Sequence, residues 1–371
     1  MVENVEKKSR QYNSHEILKE NTYYISAFFW KNYNAASKAR YDVEKILENM
    51  GFKRIDLFKN GKKFRYLSFF SLLKVLLSSI FTKKYKTSNV IFQNGTGVDL
   101  ILAPVIKFVF RRGKRIIFIH DVESLRIGRK VDFFREKIVF SQFSHIICGS
   151  ENMIKFLEEN LKIKGKKFIL PFFDYLIEKN PEKEENITKV NFPRDSKFVA
   201  VFPGNLSRWK SEFLYKMSEL GIEFKNYVLH LYGKGFEGKE ITGSLEYKGA
   251  AAPDELPYRL SGHFGLVWDG NDIEKLSGRT GEYQRYNTPH KFSLYIASGL
   301  PVICSKDAAI YKVVEEYDIG FGVKSLRDID SKLSDISEER YRVWKKNILS
   351  LREKVINGKI FEEVLLKVLE S

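Results

Sequence analysis

Strand-like and helix-like segments alternate along this chain, stop at one charged stretch, and then start again. "TYYISAFFW", "FKRIDLF", "NVIFQNGTG", "KRIIFIHDVESLR", "FSHIICGSEN" and "KKFILPFFDYL" each pair an apolar run with a turn, and helical periodicity fills the gaps between them. Continuous apolar strands joined by helices require a parallel sheet covered on both faces. Residues 178–196, "EKNPEKEENITKVNFPRDS", are charged, hold two prolines and lack apolar periodicity, which marks a domain boundary. Beyond it "KFVAVFPGN", "YVLHLYGKG", "LEYKGAAAPDELPYRL" and "HFGLVWDG" resume the pattern, and the chain closes on helical sequence. The expected organisation is a polar extension over 1–21, a Rossmann-like domain over 22–180, a second over 190–345 and a helical segment over 346–371. Ligands of such sheets sit in a crevice at the carboxyl ends of the strands.

The stretch "YNTPHKFSLYIASGLPVICSKDAAIYKVVEE" condenses the local logic. Pro289 suits a helix start, since it lacks the N–H that helix starts leave unpaired. Ser298-Gly299 ends that helix, Leu300 to Cys304 forms a buried strand, and Ser305 is a candidate N-cap of the next helix.

With 371 residues, the chain is long enough for two α/β domains. Its 63 basic and 47 acidic side chains leave a net charge of +16, which attracts polyanions. The cations are spread along the whole chain, with no aromatic–basic platform, so a nucleic-acid-binding protein is the weaker reading. Cys148 and Cys304 each lie in an apolar run, which excludes a disulfide framework and fits a reducing, cytoplasmic compartment. The N-terminus is polar, and no apolar run reaches the roughly twenty residues of a membrane span. Phe64 to Phe81, flanked by Lys62, Lys63, Lys83 and Lys84, reads either as a core helix or as an amphipathic helix on an anionic membrane face.

Three glycine turns follow strands of the second half: "FPGNLSRWK", "LYGKGFEGK" and "VWDGNDIEK". None is a dinucleotide or P-loop fingerprint, and the missing GxGxxG counts against a nicotinamide-dependent oxidoreductase or sugar-nucleotide epimerase. Together with Arg208, Lys210, and His290-Lys291 at a helix start, the turns suit a diphosphate, which needs backbone donors and fixed cations. A lysine in the first turn of a helix opposes the helix dipole, so Lys291 points to a ligand. In the first half, His120, Asp121, Glu123 and Arg126 crowd the carboxyl end of a strand. They are either a general base with an orienting carboxylate or a strand-end cap. "NYNAASKAR" at 32–40 reads as a loop, with Ser37 and Lys38 able to face a ligand.

"NAASKARYDVEKILENMGF", "IHDVESLR", "FFDYL", "GNLSRWKS", "LYGKG", "FGLVWDG", "GEYQRYNTPHKFSLYIASGLPVI" and "IGFGVKSLRDI" occur in that order. Over roughly residues 22 to 365 they resemble the bacterial family of galactofuranosyltransferases and of the glucosyltransferases that extend sugar on serine-rich-repeat adhesins. The resemblance implies an α/β GT-B fold, with two Rossmann-like domains facing a cleft and C-terminal helices packing back toward the first. It also implies a UDP-sugar donor, held mainly by the second domain, with no metal or other cofactor. Donor contacts are then expected from Gly204, Asn205, Arg208, Lys210, Tyr232, Gly233, Asp269, Gly270, Tyr286, Asn287, His290 and Lys291, with Ser37 and Lys38 opposite. His120, Asp121, Glu123 and Lys291 are the expected catalytic groups. Many retaining GT-B enzymes place a glutamate where this chain has Leu294, which favours inversion. "NGTG" and "CGSEN" depart from the family's first-domain loops, which choose the acceptor: a glycan, a lipid-linked glycan or a glycoprotein. A homo-oligomer is expected, and peripheral contact with an anionic membrane follows only if the 64–81 helix is not core-packed.

Overall fold

The structure is a computed structural model, and it describes residues 20–26, 35–57, 84–188, 192–194, 196–237 and 243–371. The 64–81 segment and most of the 1–21 extension therefore lie outside the described residues.

Two six-stranded parallel sheets form the frame. The first contains β1 (Thr22–Ser26), β2 (Lys53–Asp56), β3 (Asn89–Gln93), β4 (Arg115–Phe118), β5 (His145–Cys148) and β6 (Lys166–Ile169), in the order β2-β1-β3-β4-β5-β6. The second contains β7 (Phe198–Asn205), β8 (Tyr227–Lys234), β9 (Leu245–Tyr247), β10 (Phe264–Val267), β11 (Val302–Ser305) and β12 (Gly320–Val323), in the order β12-β11-β10-β7-β8-β9. Central strands such as β5, β10 and β11 are buried at every residue, which is why they read as unbroken apolar runs. Strand order reverses between β1 and β3 in one sheet and between β7 and β10 in the other. Those two switch points leave crevices at the strand ends where ligands of open sheets bind.

Local chemistry differs from expectation in three places. Ala35–Asn49 is helical, so the expected 32–40 loop is helix from Ala35 onward and carries Ser37 and Lys38 on it. The polar 178–196 stretch includes a helix, Pro181–Thr188, anchored where Arg352 forks onto Glu184 with both bonds at 2.8 Å. Ser305 ends β11 instead of capping a helix, because its hydroxyl accepts from Asp307 N at 3.2 Å in a tight turn, and the helix begins at Tyr311. The helix His290–Ala297 starts and stops as expected, with Pro289 at its N-cap and Gly299 at φ +64° just past its end.

The terminal helices tie the halves together. Glu338–Ile356 packs Tyr341 and Trp344 edge-on against Phe264, at 5.5 and 6.1 Å. The chain then turns at Gly358, and Lys359–Glu370 lies back on the first domain. There Phe361 meets Phe118 at 5.3 Å and Lys114 Nζ donates to Leu369 O at 2.6 Å. A 345/346 division therefore falls within one continuous helix. Asp174 accepts from Ile360 N at 3.1 Å and Phe361 N at 2.7 Å, filling two of the donors a helix start leaves open. Gly358 has φ +76°, and a Cβ there would collide with the Ile46 side chain. Gly358→Val is expected to lower stability by about 1–3 kcal/mol in urea denaturation, through left-handed strain and this collision. An unchanged midpoint would mean the turn can relax freely.

Candidate functional site

At the switch point of the second sheet, β10 runs out into Trp268, Asp269 and Gly270. The Lys291 Nζ lies 2.9 Å from Asp269 Oδ1, 3.4 Å from Trp268 O and 4.0 Å from the centre of the Phe202 ring. Gln284 Nε2 donates to Asp269 Oδ2 at 3.1 Å, so both carboxylate oxygens are held. Burial pushes the Lys291 ammonium pKa down and the Lys210 charge adds to that, while Asp269 pulls it up. Lys291 is thus a nearly enclosed cation, already paired, beside the switch point of the second sheet.

The glycine turns stand beside it. Gly204 and Gly233 are register partners, both at φ +149°, and a Cβ on Gly233 would strike the Gly204 carbonyl. Glycine is what lets these strands stay paired to their cleft ends. Gly270, at φ +110°, would meet Ser277 O in the same way. Lys210 sits at this rim, with its carbonyl accepting from Gly270 N at 3.4 Å. Three other expected donor residues are engaged locally. Asn205 Oδ1 accepts from Ser207 N at 2.9 Å, Tyr232 is buried with its hydroxyl accepting from Ser261 N at 3.4 Å, and Arg208 pairs with Glu219 over the Tyr215 ring.

On the first sheet His120 follows β4 and is buried. Its Nε2 lies 2.7 Å from Gln93 Oε1. The Gln93 amide nitrogen already donates to Arg40 O at 3.3 Å, so Nε2 carries the imidazole proton and Nδ1 keeps the lone pair. The ring lies 4.5 Å from Phe118 and stacks on Phe173 at 5.5 Å. Burial holds its pKa well below the usual histidine range, reinforced by Arg40 and His290. The expected carboxylate partner is therefore replaced by an amide. Asp121 instead accepts from Tyr283 Oη at 3.2 Å, and that same hydroxyl accepts from Val122 N at 3.1 Å, bolting the second domain to the first. Glu123 pairs with Arg126 at 2.5 Å, and the buried Glu136, not Asp121, receives Ser124 N at 3.2 Å at the helix start.

Lys38 also has a different role from the one expected. Its Nζ meets Asp42 Oδ1 at 2.7 Å, Leu176 O at 2.5 Å and Asp254 Oδ1 at 3.3 Å, joining the first domain, the connecting chain and the second domain. Tyr286 packs its ring on Phe156 at 6.4 Å and accepts from Ser150 Oγ at 2.5 Å through its carbonyl, so "CGSEN" docks the second domain. His290 stacks on Tyr175 at 4.9 Å and faces Phe173 edge-on. It donates to the Asp174 carbonyl, and burial lowers its pKa to about 3. Gln284 Oε1, Asn287 Oδ1 and His290 Nε2 are buried with no hydrogen-bond partner. Sequence reasoning missed Gln93, Gln284 and Tyr283. Gln93 alone left a trace, as a polar residue ending an apolar strand.

A family model described as Glucosyltransferase 3-like, C-terminal domain, matches residues 200–368, and its N-terminal counterpart matches residues 22–170. Beta-1,6-galactofuranosyltransferase WbbI of Escherichia coli (strain K12) is 30% identical over 270 residues, 72% of this chain and 75% of that protein. Glucosyltransferase 3 of Streptococcus gordonii is 26% identical over 346 residues, 89% of this chain and 94% of that one. Among solved structures, sucrose-phosphate synthase from Thermosynechococcus elongatus aligns with a TM-score of 0.55 at 14% identity, covering 94% of this chain and 96% of its own. That likeness concerns the fold, which is GT-B. With both of its halves matched in order, the chain belongs to the Glucosyltransferase 3-like family of glycosyltransferases.

Proposed function

We propose that this chain transfers a hexose from a UDP-sugar (UDP-galactofuranose, UDP-glucose or UDP-galactose) to a hydroxyl of a glycan or glycoprotein acceptor, with inversion and without a metal ion. The observation that carries the reading is the pairing of two switch points within one family fold. One holds an enclosed cation, Lys291, and the other a neutral buried imidazole, His120, with a free lone pair. In the proposed reaction the acceptor oxygen bonds to the anomeric carbon as the bond from that carbon to the diphosphate oxygen breaks. His120 Nδ1 takes the acceptor hydroxyl proton, and Lys291 with Lys210 offsets the charge gathering on UDP. The unfilled acceptors Gln284 Oε1, Asn287 Oδ1 and His290 Nε2 suit a hydroxyl-rich ligand, which would supply the missing donors. The inverting course is favoured by Leu294 standing where many retaining enzymes of this fold carry glutamate.

Thermal-shift titration with UDP, NAD and an oligonucleotide tests the reading. A shift with UDP alone is expected, and a shift with NAD alone would overturn it. In this reading the charge gathering on UDP is offset by Lys291 and Lys210. Turnover is therefore expected to stay within about twofold in EDTA. Loss in EDTA, restored by magnesium or manganese, would assign that role to a metal.

A further inference from the structure

One face of the first sheet is covered by two adjacent helices, Asp99–Val109 and Lys130–Phe140, which bury Leu102, Ile106, Val139 and Phe140. Their outer side is not polar. Leu100, Ile101, Phe108, Val131 and Phe134 are exposed at 38%, 56%, 52%, 55% and 67%. These are five of the nine exposed large hydrophobic residues among the described residues, so more than half sit on two helices. Single exposed apolar residues are ordinary, whereas a cluster of this kind marks a contact surface.

The charges on these helices are sorted by sign. Their acidic side chains are used within the fold: Asp99 accepts from Gly95 N and Thr96 N, buried Asp132 takes Arg129, and buried Glu136 receives Ser124 N. Lys107, Arg111, Arg112, Lys130 and Lys137 remain exposed. The outward surface therefore combines bulky apolar groups with positive charge alone. Its Leu100–Ile101 end stands at the cleft end of the sheet, because that helix starts where β3 ends.

We propose that this face seats the protein on an anionic lipid bilayer, with Phe108 and Phe134 entering the headgroup layer and the lysines and arginines meeting lipid phosphates. Interleaved aromatic and basic groups on helices lying along the surface suit an interface that is apolar beneath and negative above. Such seating would bring the cleft to an acceptor anchored in the same bilayer. That last step rests on the glycosyltransferase reading, whereas the bilayer contact does not.

The test is co-sedimentation of the full chain with vesicles of phosphatidylcholine mixed with phosphatidylglycerol, and of phosphatidylcholine alone, at low and high salt. Binding to the mixed vesicles only, released by salt, is expected. A Phe108→Ser/Phe134→Ser variant should partition at least about 10-fold less while keeping its thermal shift with UDP. No binding to mixed vesicles at low salt would overturn the proposal. So would undiminished binding by the variant, which would place the contact elsewhere, residues 64–81 included. If the variant instead turned a dimer into a monomer with vesicle binding unchanged, the face would be an interface between copies. Loss of vesicle binding with UDP recognition intact separates this proposal from the proposed activity.

Discussion

Lys291→Met is expected to lower turnover about 10²–10³-fold, the effect of removing one preorganised group from a developing charge. Stability should fall as well. Lys291 is ion-paired with Asp269 at 2.9 Å, and both side chains are almost enclosed, at 11% and 10% exposure. Removing one partner of a buried pair leaves the other charge uncompensated, at a cost of about 3–5 kcal/mol. Gln284, still donating to Asp269, softens that loss. The two effects separate in the Lys291→Met/Asp269→Asn double variant, where the neutral amide no longer needs the ammonium. The double variant should regain most of the melting temperature and none of the turnover. Near-normal steady-state rates in that stable protein would remove Lys291 from the chemistry and leave it a structural cation.

His120→Ala is expected to reduce turnover about 10²–10⁴-fold, the usual contribution of a positioned general base. Binding of UDP should be unchanged, because His120 stands on the other sheet. The pH dependence gives a sharper readout. Burial depresses the His120 pKa, so the ring stays unprotonated until the pH falls well below 6.5. The acidic limb of kcat/KM should therefore lie well below that value. Gln93→Leu removes the acceptor that places the ring proton on Nε2, and it should lower kcat more than it raises KM. An acidic limb near pH 6.5 in the wild type, or full activity of His120→Ala, would rule out this base.

Much of the frame was legible in the order of the residues. Apolar strands buried on both faces cannot be disguised, so β5 and β10 fell within "FSHIICGSEN" and "HFGLVWDG", and β11 overlapped the expected Leu300–Cys304 strand but ran on to Ser305. Pro289 and Gly299 bounded a helix through backbone geometry each carries in itself. The terminal helices return to the first domain as expected, and Gly358 supplies the left-handed turn that allows it.

The site was legible as a set of residues and much less as a set of roles. A sequence shows that His120, Asp121 and Glu123 are neighbours along the chain, yet adjacent side chains leave a strand end in different directions. His120 turned to Gln93, twenty-seven positions away; Asp121 turned to Tyr283 and Glu123 to Arg126. Lys38, read as a loop cation, became a bridge between the two domains because its helix begins at Ala35 and packs against the connecting chain. Lys291 stands in the first turn of its helix, but its partner Asp269 follows the end of β10, and no local pattern links the two. Sequence by itself determined most of the strands and helices, because periodicity and turn chemistry are properties of neighbouring residues, and its ordered motifs carried the resemblance to the family that the family models match. Only the tertiary structure decided which polar groups meet, because charge pairing, burial and the choice of tautomer depend on residues that folding brings together from distant parts of the chain.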